Sequence, residues 1–196
     1  MRIIGGVLRG RRLPARPAPS TRPTSDRVRE GIASALEARG AFAGASVLDL
    51  FAGTGALGLE ALSRGAASVV AVDDDRTALR SIADNARALG VAERLQALPL
   101  DLHGAAGSIA ARMSKTGRAP FGLVFADPPY TLVQVAADLI ADLNGLSAFA
   151  PGALVVLEHA TREPPSPHAG LRELASYRYG DSSVALWQAI APAVET

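Results

Sequence analysis

Ser46-Val47-Leu48-Asp49-Leu50-Phe51-Ala52-Gly53-Thr54-Gly55-Ala56-Leu57-Gly58 is the stretch that decides the fold. An apolar run of strand formers enters a glycine turn, and residues 56–64 then read as a helix. The same succession recurs downstream. Strands are predicted over residues 46–51, 68–73, 94–100, 122–126 and 154–158, with helices over 76–89, 102–113 and 134–143 between them. Regular alternation of this kind, with nearly continuous apolar strands, predicts an α/β fold: a mostly parallel sheet covered by helices on both faces. Residues 171–178 and 183–189 read as two further strands joined by Tyr179-Gly180-Asp181-Ser182, too short a link for a crossover helix. The chain is therefore expected to end in an antiparallel hairpin at one edge of the sheet.

Upstream, residues 1–13 alternate short apolar stretches with arginine around Gly5-Gly6, which predicts a small β-hairpin arm. Residues 14–23 carry Pro14, Pro17, Pro19 and Pro23 and read as an extended linker. Thr24-Ser25-Asp26 offers capping side chains to a helix over residues 26–38, with Val28, Ile32, Ala35 and Leu36 as its apolar stripe. At 196 residues the chain has room for one domain, so residues 24–196 are expected to form it and residues 1–23 to be its arm and linker.

The charge is segregated. Residues 1–29 hold eight arginines against the single acid Asp26, while the whole chain sums to +1, so the remainder is net acidic. A basic end on an acidic body suits a polyanion-binding arm, and a solvated basic tail is the plainer reading. Arg2, Arg9, Arg11, Arg12, Arg16, Arg22 and Arg27 are the candidate polyanion contacts, the RNA-binding residues if that polyanion is RNA. There is no cysteine, no 18-residue apolar run, and an arginine-bearing N-terminus where a signal peptide would need an uninterrupted apolar core. A soluble cytoplasmic protein follows as the expectation, without disulfides or thiolate metal sites and by default a monomer.

Gly53-Thr54-Gly55-Ala56-Leu57-Gly58 matches the glycine spacing of a dinucleotide loop and, taken alone, is equally a structural turn. Asp49, inside the apolar run, must be solvated in a cleft or hold a hydrogen-bonded partner. An acid just before the first glycine sits badly against a pyrophosphate and well against a cationic amino group, which favours S-adenosyl-L-methionine. Asp73, twenty positions after Gly53 at the tip of the second strand, is placed to accept hydrogen bonds from ribose hydroxyls. Asp74 and Asp75 read as helix-capping acids. Asp101 reads either as a contact to an adenine edge or as another cap.

Asp127-Pro128-Pro129-Tyr130 closes the strand at residues 122–126 and discriminates most. Its prolines stiffen a turn at the carboxyl edge of the sheet, where open α/β sheets bind ligands. The Asp127 carboxylate and the Pro128 carbonyl can accept the two hydrogens of an exocyclic amine and favour a pyramidal nitrogen whose lone pair faces an incoming methyl. Tyr130 offers a face on which an extruded base stacks. Stacking alone would give its hydroxyl no role.

Together these residues resemble the class I (Rossmann-like) S-adenosylmethionine-dependent amino-methyltransferases. The start MRIIGGVLRGRRL, the segment Thr21-Arg22-Pro23-Thr24-Ser25-Asp26-Arg27-Val28-Arg29-Glu30, then LDLFAGTGALGLEALSRGA and DPPY, resemble more narrowly the RsmD family. The resemblance implies methyl transfer to N2 of the guanine called 966 in family usage, in 16S ribosomal RNA within an assembled or nearly assembled small subunit. It also implies cofactor contacts from Asp49, Phe51, Ala52, Gly53, Thr54, Gly55, Asp73, Asp101 and Leu102, with Asp127, Pro128, Pro129 and Tyr130 at the target amine and the TRPT segment closing over both.

The residues by themselves leave open adenine N6 or cytosine N4 of DNA or RNA as the target, and a non-catalytic nucleic-acid binder on the same scaffold. Residues 158–170 carry no motif. His103, His159 and His168 lack metal-ligand spacing, and Trp187 reads as packing.

Overall fold

The computed structural model describes residues 1–14, 26–166 and 168–190, the side chain of Asp26 excepted. Seven strands form one sheet in the order β3-β2-β1-β4-β5-β7-β6. They are β1 (Ser46–Leu50), β2 (Ser68–Asp73), β3 (Leu95–Pro99), β4 (Phe121–Ala126), β5 (Phe149–Ala160), β6 (Leu171–Tyr179) and β7 (Ser182–Ala189). β1 to β5 pair in parallel, while β7 inserts antiparallel between β5 and β6. The expected parallel sheet with an antiparallel terminal hairpin is what forms.

Helices α1 (Asp26–Glu37), α2 (Ala56–Ser63) and α3 (Arg76–Leu89) cover one face. Their core includes Ile32, Leu36, Leu59, Leu62 and Ile82 packed on Val47, Val69, Phe125 and Val156. Helices α4 (Ala106–Ser114) and α5 (Val133–Gly145) cover the other, where Ile109, Met113, Ile140 and Leu143 meet Leu48, Val70, Val124, Val155 and Trp187. Alternate residues of each strand thus enter opposite cores, which is why the strands read as unbroken apolar runs. α3 matches its expected bounds because both ends are signalled. Asp75 accepts the N–H groups of Thr77 and Ala78 (2.9 and 3.3 Å), and Gly90 ends the helix at φ 74°.

Two elements depart from expectation. α4 starts at Ala106, not 102, because the Asp101 carboxylate accepts the His103 N–H at 2.8 Å and holds residues 101–103 in a separate turn. β5 starts at Phe149, before the expected residue 154, with a register shift against β4 between Phe121 and Leu123 that accommodates Pro151-Gly152.

Residues 1–13 form the expected antiparallel hook, with Arg2 opposite Arg12 and a tight 3-10 turn at Gly6–Leu8. The hook is docked on the body. Ile3 and Leu13 lie in the same core as α1 and α2. Glu60, 3% exposed on α2, accepts the N–H groups of Ile4 and Gly5 (2.8 and 2.7 Å), and Ser63 accepts that of Leu8 (2.9 Å). Arg29 belongs to the basic segment by sequence yet is buried. Its guanidinium donates to the Arg2 carbonyl at 3.0 Å and lies 4.0 Å from Glu60. Much of the proline-rich linker, with Arg16 and Arg22, lies outside the described residues.

Glu60 also takes the Arg64 Nε–H at 2.9 Å, so one buried carboxylate anchors the hook and balances buried guanidinium charge. Glu60→Ala should therefore destabilise the protein by about 3–5 kcal/mol, the usual range for stranding a buried charge. Urea unfolding checks this; a loss below about 1 kcal/mol would show that the hook's anchorage lies elsewhere.

Candidate active site

The chain leaves β1 toward β2 and β3 on one side, and returns to β4 and β5 on the other. Crossovers running in opposite directions leave a crevice beyond the carboxyl ends of β1 and β4, the ligand position of open α/β sheets. Register fixes what borders it. Leu50 stands opposite Val72 of β2 and Ala126 of β4, so the chain steps next to Phe51, Asp73 and Asp127 on three adjacent strands.

Phe51 turns the chain at φ 56°, unusual for a side chain of its size, and the Ala52 N–H donates to the Val72 carbonyl at 3.0 Å. The Gly53 N–H donates to Asp73 Oδ2 at 2.8 Å, and the Gly58 N–H to Asp49 Oδ2 at 3.0 Å. Asn85, fully buried on α3, donates to the Thr54 carbonyl at 3.0 Å, while Thr54 Oγ1 lies 3.9 Å from the Met1 sulfur. The turn is thus held from the second strand, from beneath and from the hook. At Gly58 a Cβ would lie 2.8 Å from Val69 and 3.1 Å from Asp49 Oδ2, so glycine lets α2 approach the sheet. At Gly53, with φ +54°, a Cβ would meet no atom within 4 Å; open space adjoins the backbone there.

Of the two environments open to Asp49, the structure shows the hydrogen-bonded one: the carboxylate is 1% exposed beneath the turn. Burial pushes its pKa up to about 8, against the Gly58 bond, with the like charges of Asp127 and Asp73 adding to the rise. Asp73 is half-buried and also raised, chiefly by burial, while the Asp75 and Gly53 N–H groups work the other way. Three acidic side chains from three strands therefore share one field; Asp49 holds its proton at neutral pH, and a cationic ligand would favour the ionised forms.

Asp101 is exposed on the turn after β3, beside β2, where the Leu100 N–H meets the Asp73 carbonyl at 3.2 Å. The His103 N–H, then its ring, hold the Asp101 carboxyl below its ordinary range. It does not cap α4, whose N-cap is Ala105. Leu102 is buried in the core.

Pro129 leads from Asp127 into a 3-10 turn, Tyr130–Leu132, that leaves Tyr130 36% exposed with its hydroxyl 2.6 Å from Ser182 Oγ. The histidines stand apart: His103 pairs with Asp101, His159 is buried with Nδ1 2.9 Å from the Ala160 carbonyl, and His168 lies 3.3 Å from Asp138. Arg2, Arg9, Arg11, Arg12 and Arg27 are exposed. Arg11 nevertheless spends its guanidinium on the Ala88 and Leu89 carbonyls at the end of α3, at 2.6 and 3.3 Å. Among the described residues, no helix is long and apolar enough to cross a membrane.

Sequence reasoning missed Asn85, Glu60 and Ser182. The first two carried a signal, a polar residue inside an apolar helical stripe. Ser182 carried none.

A Rossmann-like sheet with a glycine turn after β1, an acid ending β2 and Asp-Pro-Pro-Tyr after β4 defines a class I methyltransferase. The model of the family described as Conserved hypothetical protein 95 matches residues 1–188. The chain belongs to that family, which is the RsmD family of the sequence resemblance. It is 38% identical to the ribosomal RNA small subunit methyltransferase D of Escherichia coli (strain K12), over 74% of this chain and 68% of that protein. The solved structure of a provisionally named Escherichia coli methyltransferase, yhhF, superposes with a TM-score of 0.77 at 31% identity, covering 98% and 99% of the two chains. An RNA methyltransferase from Salinibacter ruber, solved with S-adenosyl-L-homocysteine, shares the fold at 18% identity and a TM-score of 0.62, covering 89% of this chain and 98% of that one.

The raised pKa of Asp49 has a signed consequence. A carboxyl whose folded pKa is raised stabilises the fold fully below its ordinary 3.8, and that contribution is lost as pH climbs to about 8. Asp49→Asn keeps an acceptor for the Gly58 N–H and removes the titration. Its melting temperature should fall less across that window than the wild type's; parallel curves would mean that Asp49 does not titrate there.

Proposed function

We propose that the protein transfers the methyl group of S-adenosyl-L-methionine to the exocyclic N2 amine of a guanine in 16S ribosomal RNA, guanine 966 in family usage. The substrate is the RNA within an assembled or nearly assembled small subunit, and the enzyme works as a cytoplasmic monomer. The observation that carries this reading is the meeting of Asp127-Pro128-Pro129-Tyr130 with the Gly53 turn and Asp73 at one switch point.

The residues present fit the cofactor. Open space beside Gly53 admits a ligand against the backbone, and the acids around it suit a cation. Asp73 would take the ribose hydroxyls, with Phe51, Ala52, Gly53, Thr54 and Gly55 lining the approach and Asp101 and the main chain of Leu102 beside the adenine. Asp49 acts from beneath by fixing the turn. When bound, the cofactor supplies an electrophilic methyl on a sulfonium. Asp127 and the Pro128 carbonyl hold the two amine hydrogens, so the nitrogen lone pair is turned out of the ring plane. Methylation of that nitrogen would leave it with one surplus proton, which the Asp127 carboxylate would accept. Tyr130 stacks on the base, a contact of ~1–3 kcal/mol. Adenine N6 and cytosine N4 present the same two hydrogens; the relation to ribosomal RNA small subunit methyltransferases favours 16S RNA as the substrate, and the choice of guanine is what the RsmD resemblance implies.

Asp127→Ala should lower the single-turnover rate at least a hundredfold while calorimetry finds S-adenosyl-L-methionine affinity nearly unchanged. An undiminished rate would remove Asp127 from the mechanism. Gly53→Ala reports on the other half: its Cβ enters open space and its φ of +54° costs the alanine only about 1–2 kcal/mol, so the variant should fold yet lose cofactor binding, and retained binding would move the cofactor away from the turn.

For RNA, exposed arginines of the hook and of α1 would contact phosphates. Arg9 and Arg12 are the useful probes, since Arg11 also holds α3. Replacing each by glutamine should flatten the slope of log affinity against log salt by about 0.7–0.9 per contact, with melting temperature unchanged. An unchanged slope would deny both residues a phosphate.

A further inference from the structure

A stacking tyrosine works only if its ring is held at the right angle, and Tyr130 sits on a three-residue turn with over a third of its surface in solvent. Nothing in Asp-Pro-Pro-Tyr itself fixes the two side-chain torsions. The hydroxyl supplies the missing restraint through its 2.6 Å hydrogen bond to Ser182 Oγ. Ser182 is 6% exposed and opens β7, opposite Ala160 of β5 and Tyr179 of β6.

Its own position is set on the sheet side. The Thr161 N–H donates to the Asp181 carbonyl at 2.8 Å, and Thr161 Oγ1 donates to the Gly180 carbonyl at 3.0 Å and lies 2.9 Å from Ser183 Oγ. Thr161 directly follows β5, and β5 pairs with β4, the strand that delivers Asp127. The tip of the terminal hairpin is therefore laced to the same sheet edge that presents the target-amine acceptors.

We propose that Ser182 is a positioning residue for methyl transfer: it locks the Tyr130 ring in the orientation on which the target base stacks, which makes the antiparallel hairpin part of the substrate site. This rests on Tyr130 being the stacking residue, and the test separates the two ideas. A displacement of about 1 Å can cost up to a hundredfold in rate, so loss of one orienting bond on a ring still packed in place should cost about tenfold.

With full-length protein and small subunits as substrate, Ser182→Ala should lower kcat about tenfold, leaving S-adenosyl-L-methionine affinity and melting temperature unchanged. Ser182→Thr, which restores a hydroxyl, should recover most of the rate. Tyr130→Phe removes the same bond from the other end, so the double variant should be no slower than either single one. A wild-type rate for Ser182→Ala, or losses that multiply in the double variant, would overturn the positioning role. Should Ser182→Ala fail to fold, Tyr130→Phe still reads the bond, and a wild-type rate for it would have the same force. If Tyr130→Ala turns over normally, the stacking role falls; a dead Tyr130→Ala beside a fully active Ser182→Ala overturns the positioning role alone.

Discussion

The site depends on the interior position of β1, which pairs in parallel with β2 on one edge and β4 on the other. Because Leu50 lies level with Val72 and Ala126, the first residues past the sheet come from three chain segments far apart in sequence and adjacent in space. The two-residue period of a strand does the rest. Asp49 shares a strand face with Val47, in the core under α2 and α3, while Leu48 and Leu50 enter the other core. A shift of one residue would exchange those faces and place an ionisable group in the wrong core.

Polar groups then stiffen what the sheet positions. Asp73 ties the glycine turn to β2, Asn85 ties it to α3, Asp49 ties the start of α2 to β1, and Glu60 ties the hook to α2. Each lies in or beside a core, where leaving any partner unmet would cost about 1–3 kcal/mol, so each bond specifies a single arrangement of the turn. The raised pKa of Asp49 shows that the arrangement is not free: a carboxyl group is kept where water does not reach it, and burial makes it hold its proton up to about pH 8. Strained or costly features of this kind gather where a ligand is bound.

The alternation of strands and helices was legible because each element carries its own period. β2 and α3 fall on their expected bounds, since an apolar run ends at Asp73 and Asp75 and Gly90 cap the helix. The glycine turn, Asp73 and Asp-Pro-Pro-Tyr were legible as candidates because their residue types are unusual where strands end. Partnerships between distant segments were not. Ile3 and Leu13 look like an arm's decoration among arginines, yet the structure buries them. Arg29 counted as surface charge, although it stands three and seven residues before Ile32 and Leu36 on the buried stripe of α1. Asp101 was balanced between two readings, and its own turn with His103 excludes the helix cap. Ser182 is an ordinary serine until the hairpin folds back and brings it within 2.6 Å of Tyr130.

The function proposed for this crevice is delivery of a methyl group to one guanine amine of 16S ribosomal RNA. Mass spectrometry of nucleosides from 16S RNA fragments bearing the target guanine, from cells with the gene, without it, and with it restored as the Asp127→Ala variant, tests that claim most directly. N2-methylguanosine is expected in the first RNA and unmodified guanosine at that position in the other two. Undiminished N2-methylguanosine in the deletion strain, or the loss instead of a methylated adenosine or cytidine, would contradict it.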